Sequence, residues 1–362
     1  PLCPASKLHS QAGSIQPQSA DLGAFSETSW YGQVFRQIPG KIYILSHSFT
    51  GLCRYLDQVH HFMAVNTDQT INRPGVLLTG ASSQIGFFAL SRLVRAGFQV
   101  FAVSRKGKPE AFPGLKHVKW LNESEGLEAA KNCRYLLSAG PLGLASKYLM
   151  TCGEIQKAVV FSSSSVEVKQ QSANQKERDQ ILDMLSAESE MRSLCEYRGL
   201  KLVIFRPTLI YGCGLDTNIT RLANWITRFG FMPVNGRAEG LRQPVHAEDL
   251  ASVAVTAMLS QEDLPRVLNL SGGDTLSYSD MVSRIFIGLG KPVRLIRLPQ
   301  WLFLPLAKFL RTINLVSGVN DEMIRRQRLD LVFEDTQARQ LLNYKPRAFA
   351  PSAHDFLLPD VD

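Results

Sequence analysis

The apolar run Val76–Thr79 passes directly into Gly80-Ala81-Ser82-Ser83-Gln84-Ile85-Gly86, and Phe87–Ala96 continues at helical spacing. A buried strand, a glycine turn and a helix in immediate succession leave few folds open. Gly80 lets the backbone reverse within a few residues, and Gly86 lets the helix come close to the sheet. The helix start then offers unpaired N–H groups and a partial positive charge, a seat for a diphosphate. Gly97 supplies the stop at the far end of the helix.

Further short apolar runs follow at Gln99–Ser104, His117–Leu121, Tyr135–Ala139, Ala158–Ser162 and Leu202–Arg206, with helical stretches between most of them. Strands alternating with helices predict an α/β fold, a Rossmann-type doubly wound parallel sheet with right-handed crossovers. The expected organisation is an N-terminal extension over 1–72 and the Rossmann domain over 73–362. Within that domain a small C-terminal substrate lobe is expected, mainly from about 213–240 and 270–350. Pro1 to Ser29 is rich in Ser, Gln, Ala and Gly without periodicity, and Lys41–Leu45 reads as one short strand. The extension is expected to be poorly ordered or accessory. Translation from Met63, with 1–62 dispensable, is the hypothesis for it.

The segment TGASSQIG resembles the TGxxGxxG loop of the extended short-chain dehydrogenases/reductases, in particular the NAD-dependent epimerases/dehydratases. It departs where Ser83 stands in place of glycine. Arg206-Pro207-Thr208-Leu209-Ile210-Tyr211-Gly212 resembles that family's RPxxxYG segment. Arg242 to Ala251 resembles its R-x-x-x-H-V-x-D-L-A stretch, and Phe333 to Pro346 its closing pattern. The resemblance spans everything after the extension.

It implies a nicotinamide dinucleotide held by Thr79, Gly80, Ser82, Ser83, Gln84, Ile85, Gly86, Ser104, Arg105 and Pro207. The Ser83 hydroxyl is expected to face a phosphate. After the second strand, NAD-preferring sites place an acid for the ribose hydroxyls. Here Ser104 is followed by Arg105 and Lys106, so the expected cofactor is NADP or NAD, with NADP preferred. The hydroxyl that orients the reacting oxygen maps to Ser163, with Ser164 the neighbouring choice, and Glu167 stands where the family has Tyr. On the substrate side Tyr211, Asn218 and Arg242 are implied, Arg242 as the holder of the nucleotide's phosphates. Asp216, Asn218 and Arg221 either bond a sugar or phosphate or cap a helix. His246 and Asp249 are expected to hold the loop and cap the next helix.

The family's acid/base pair, YxxxK, is absent. Counted back from Arg206-Pro207 the Tyr belongs near 178–184, which reads RDQILDM. Tyr197 and Lys201 have the spacing but straddle Gly199 and enter a strand, so they make a decoy. Glu167, Glu188, Asp183 and Lys176 are the remaining candidates for proton transfer.

Two functions stay open. The first is an NAD(P)-dependent epimerase, dehydratase or reductase acting on a nucleotide-activated sugar. The alternative is a cofactor-binding assembly or regulatory protein of the same fold with little or no turnover. A reductase for a lipid-linked or isoprenoid substrate is a lesser third. Partners are expected to be a nucleotide sugar and no nucleic acid, since the excess of 40 Lys and Arg over 32 Asp and Glu is dispersed. A homodimer is kept open. The run Leu298–Leu306 is expected to be a buried helix of the small lobe, with weak contact to a membrane surface as the other reading. The six cysteines show no metal-ligand spacing and no run is long enough to span a bilayer, so no metal and a cytoplasmic location are expected.

Overall fold

The computed structural model describes residues 73–358, without 106, 111, 113, 300, 303–304 and 306–320. The expectations for the N-terminal extension, Met63 and Lys106 lie outside the described residues.

Thirteen strands are described: β1 Gly75–Thr79, β2 Gln99–Val103, β3 Val118–Leu121, β4 Cys133–Ser138, β5 Lys157–Phe161, β6 Lys201–Pro207, β7 Ile210–Tyr211, β8 Met232–Asn235, β9 Leu241–Arg242, β10 Val245–His246, β11 Val267–Leu270, β12 Leu276–Ser277 and β13 Leu295–Leu298. Seven of them form one sheet in the order β11-β6-β5-β4-β1-β2-β3, and every pairing in it is parallel. β1 and β5 are buried along their whole length, which a parallel sheet covered on both faces requires of GVLLT and KAVVF. The strand order reverses at β1, whose neighbours are β4 and β2. A doubly wound sheet opens its ligand crevice at that point, at the strands' C-terminal ends.

The helix after β1 runs Gln84–Arg95, three residues longer at its start than the sequence pattern indicates. Its Ile85, Ala89, Leu90 and Leu93 are buried against the sheet and the helix Ala247–Leu259. Gly97 follows its C-cap at φ +89°. The other face of the sheet is covered by Leu142–Thr151 and by the long helix Gln175–Tyr197, through Leu142, Ala145, Leu149, Ala187 and Met191.

A separate hydrophobic cluster joins Tyr211, Ile219, Ile226, Ile285, Phe286 and Phe349. It is built on helices Ile219–Phe229 and Tyr278–Gly288 and on the two-strand pairs β8–β13 and β9–β12. The expectation of a buried helix at Leu298–Leu306 needs correction where that segment is described. Leu298 ends strand β13, and Trp301 and Leu302 are exposed. Strand pairing to β8 takes the alternating residues Leu295–Leu298 before a helix can begin. Among the described residues no helix is long and apolar enough to cross a membrane.

Candidate functional site

At the end of β1 the turn is forced by contact. Gly80 has φ +67°, and a Cβ on it would lie 2.4 Å from Ala139 C and Gly140 N, at the end of β4. A Cβ on Gly86 would lie 2.3 Å from the Gly80 carbonyl oxygen. Neither position tolerates a side chain, so helix, turn and the β4 loop close on one another. Thr79 Oγ1 donates to Ser138 Oγ at 2.8 Å and ties β1 to β4. Ile85 is a core residue, 4% exposed. Ser83 is the helix N-cap, its Oγ accepting the Gly86 N–H at 3.1 Å. The hydroxyl thus accepts from its own helix, and its O–H is still available to donate. The Gln84 side chain lines a large cavity, and its buried Oε1 has no hydrogen-bond partner among the described residues. Ser104 Oγ lies 3.3 Å from Ser82 Oγ, and Arg105 is exposed just beyond the end of β2. A glycine cradle and a helix N-terminus fit a dinucleotide's diphosphate, and the orphaned Gln84 amide oxygen is an acceptor open to a ligand donor such as a ribose hydroxyl.

The cavity has a volume of about 630 Å³. It runs from Gln84 past Ser163, Ser164 and Ser165, along Thr208–Ile210, to Arg242, Tyr278 and Arg326. Ser163 Oγ is committed to Ser165, accepting its N–H at 3.1 Å and sharing a bond with its Oγ at 2.8 Å. Ser164 is buried, its N–H donates to the Pro207 carbonyl at 3.0 Å, and its hydroxyl has no partner among the described residues. Of the two expected hydroxyls, Ser164 is therefore the freer one.

The four candidates for proton transfer all lie elsewhere. Glu188 is fully buried and holds Ser162 and Arg206. Glu167 pairs with Arg206 at 3.2 Å and lines a different, smaller cavity. Asp183 and Lys176 are exposed. Tyr197 is 91% exposed at a helix end while Lys201 starts β6, so that pair is separated as expected. Within 178–184 no residue lines the large cavity. Two residues that the sequence did not single out do line it. Lys169 follows the short helix Ser165–Val168, and Glu177 begins the long helix with both carboxylate oxygens 2.8 Å from Arg326. The available signal was a lone cation six positions after Ser163 in the same crossover.

At the other end, Arg242 is buried. Its guanidinium donates to the carbonyls of Leu241 and Leu329 at 2.7 Å and of Arg326 at 2.5 Å, and lies over the Tyr278 ring. Burial pushes its pKa down to about 10, so it is charged at neutral pH, and it has no carboxylate partner among the described residues. Asn218 lines the same cavity. Asp216 accepts from Asn218 N, Thr220 N and Thr220 Oγ1, which makes it a helix cap. Tyr211 points away from the cavity. It is 2% exposed and packs edge-on between His246 and Phe349. His246 accepts the Glu248 N–H and pairs with Asp355, while Asp249 is bonded by Arg347, so both hold structure. The described cysteines are free and buried, and among the described residues no cluster of His, Cys, Asp and Glu is arranged for a metal.

No family model matches the chain. A UDP-glucose 4-epimerase of Vibrio cholerae is 24% identical over 186 residues, 50% of this chain and 54% of that protein. The chain thus spans about half the length of the curated relative it matches. Among solved structures, an epimerase of Methanothermobacter thermautotrophicus is similar at a TM-score of 0.60 and 15% identity, covering 85% of this chain and 94% of that one. A UDP-glucuronic acid 4-epimerase of Bacillus cereus, in complex with UDP-glucuronic acid and NAD, is similar at 0.57 and 16%, covering 76% and 94%. The chain has the fold of the NAD-dependent epimerases, and the resemblance its motifs carry is to the extended short-chain dehydrogenases/reductases.

Proposed function

We propose that this protein is an NAD(P)-dependent enzyme acting on a nucleotide-activated sugar, by epimerisation, dehydration or keto reduction. One observation carries the reading. A single cavity joins the N-terminal end of the glycine-turn helix, the serine run at the end of β5 and the buried guanidinium of Arg242, which has no ion-pair partner among the described residues. A buried cation bonded to carbonyl oxygens, with the Asp330 carboxylate near it but not paired to it, attracts an anion, and it lines the same cavity as the start of the glycine-turn helix. In this reading Gly80, Ser82, Gln84 and Gly86 seat the cofactor's diphosphate, with Thr79, Ser83 and Ile85 shaping the turn. Pro207 flanks the nicotinamide. Arg105, exposed beside Ser104 with no acid at that strand end, favours the 2′-phosphate of NADP. Asn218 bonds the sugar nucleotide, Tyr211 supports the loop beneath it, and the hydroxyl of Ser164 or Ser163 orients the reacting oxygen. When bound, the nicotinamide supplies a hydride acceptor and donor.

The test is incubation of the purified chain with NADP, NADPH and NAD and a panel of UDP- and dTDP-sugars. Turnover of any of them supports the reading. Dinucleotide binding with no reaction across the panel overturns the enzyme and leaves a binding protein. No affinity for any pyridine nucleotide overturns both.

A further inference from the structure

The Lys169 N–H closes the short helix on the Ser165 carbonyl at 3.0 Å, and Lys169 lines the same cavity as Ser163, Ser164 and Ser165. No hydrogen bond or ion pair holds its ammonium among the described residues. Of the other ionisable groups lining the cavity, Arg221 is a guanidinium that does not release its proton near neutral pH, and the rest are committed or buried. Glu177 holds Arg326, Asp216 caps a helix and Arg242 bonds three carbonyls. Tyr278 is buried, which pushes its hydroxyl up to about 12. Among the described residues no histidine lines the cavity.

We propose that Lys169 is the acid/base group of this site, exchanging a proton between its Nζ and the reacting hydroxyl of a nucleotide-activated sugar oriented by Ser164. This deepens the function proposed above and rests on it. Burial disfavours the ammonium and the nearby Arg326 guanidinium repels it. Those effects outweigh the attraction of the Glu177 carboxylate, so the Lys169 pKa lies below the ordinary lysine value. A lysine so placed spends more time as the free amine, the form that accepts a proton. In the oxidative direction the sugar's O–H bond breaks and an N–H bond forms on Lys169. The same carbinol carbon loses its hydride to the oxidised nicotinamide dinucleotide and becomes a carbonyl carbon. The reverse direction returns hydride to carbon and the ammonium's proton to oxygen.

The test uses the whole chain and has two independent arms. In the first, lysines are acetylated with acetic anhydride across a pH series and quantified by mass spectrometry, with and without UDP-glucose plus NADP. Lys169 is expected to react at lower pH than the exposed Lys119 and Lys176, and to be protected by the two ligands. Reaction in step with those lysines, with or without ligand, overturns the proposal even if no turnover is found. In the second, Lys169→Met and Lys169→Arg are each expected to lose turnover by about a hundredfold or more. NADPH binding, read by fluorescence, and the melting temperature are expected to stay at wild-type levels. Lys169→Arg keeps a cation that does not release its proton, so wild-type turnover in that variant sinks the proton-transfer role. Failure of wild-type protein to bind NADPH sinks the underlying reading instead.

Discussion

Glu188 and Arg206 meet inside the protein: the fully buried carboxylate accepts from Arg206 Nη2 at 2.6 Å and Nε at 3.2 Å, and from Ser162 Oγ at 2.5 Å. This triad ties the long helix Gln175–Tyr197 to the C-terminal ends of β5 and β6, the floor under the serine run. An acid that looks catalytic by its position in the family pattern is thus the clamp that positions the site.

Glu188→Ala leaves a largely buried guanidinium whose remaining partner, Glu167, is part-exposed. The expected cost is about 3–5 kcal/mol, read as a lower denaturation midpoint. A loss of turnover with stability intact would argue for a direct chemical role.

Gly80→Ala places a methyl group against the Ala139–Gly140 backbone in a residue already at φ +67°. Strain and clash together are expected to cost roughly 1–3 kcal/mol and to abolish NADPH binding, measured by melting and by fluorescence titration.

Arg242→Met removes the buried cation at the far end of the cavity. Loss of charge-assisted bonds of about 1.5–3 kcal/mol is expected to weaken UDP binding tenfold or more in calorimetry. Dinucleotide affinity is expected to be unchanged.

Arg105→Glu inverts the charge at the end of β2. The ratio of NADPH to NADH affinity is expected to fall, by about tenfold for about 1.4 kcal/mol. An unchanged ratio in a fluorescence titration would remove Arg105 from cofactor choice.

Acid is expected to loosen the contacts of Glu248. Burial alone raises that carboxyl, but hydrogen bonds from Arg92 at 2.6 Å and Arg347 at 2.8 Å outweigh it and hold the pKa below the ordinary value. With the folded pKa depressed, the stabilisation is complete above the unfolded value of about 4.3 and drains away as pH falls through the folded one. Urea midpoints for Glu248→Gln are therefore expected to decline less than wild type between about pH 5 and about pH 3.

What was legible in the sequence is what is local. Val76–Gly86 shows strand, turn and helix because each is specified by neighbours, and Arg206-Pro207 marks the end of a buried strand for the same reason. Arg242 was singled out by its motif, and it lines the large cavity. Roles that depend on partners distant in sequence were hidden. Glu188 is a clamp because Arg206 lies 18 positions away on another element. Tyr211 is a core residue because Phe349 returns from the C-terminal segment to cover it. Lys169 gains its place from the fold of the crossover, which no spacing rule announces. Ser83 was visible as a substitution for glycine, but capping its own helix is a use of the hydroxyl that only the backbone geometry reveals.

Arg326 grips two sides at once. Its side chain clasps Glu177 at the start of the long helix, and its carbonyl anchors the guanidinium of Arg242. A stretch late in the chain therefore completes a chamber whose other walls come from the start of the glycine-turn helix, the serine run, the start of the long helix and residues between Thr208 and Met281. Without that stretch the cavity would lose the wall from Ile324 to Phe333 and two of the carbonyls that hold Arg242.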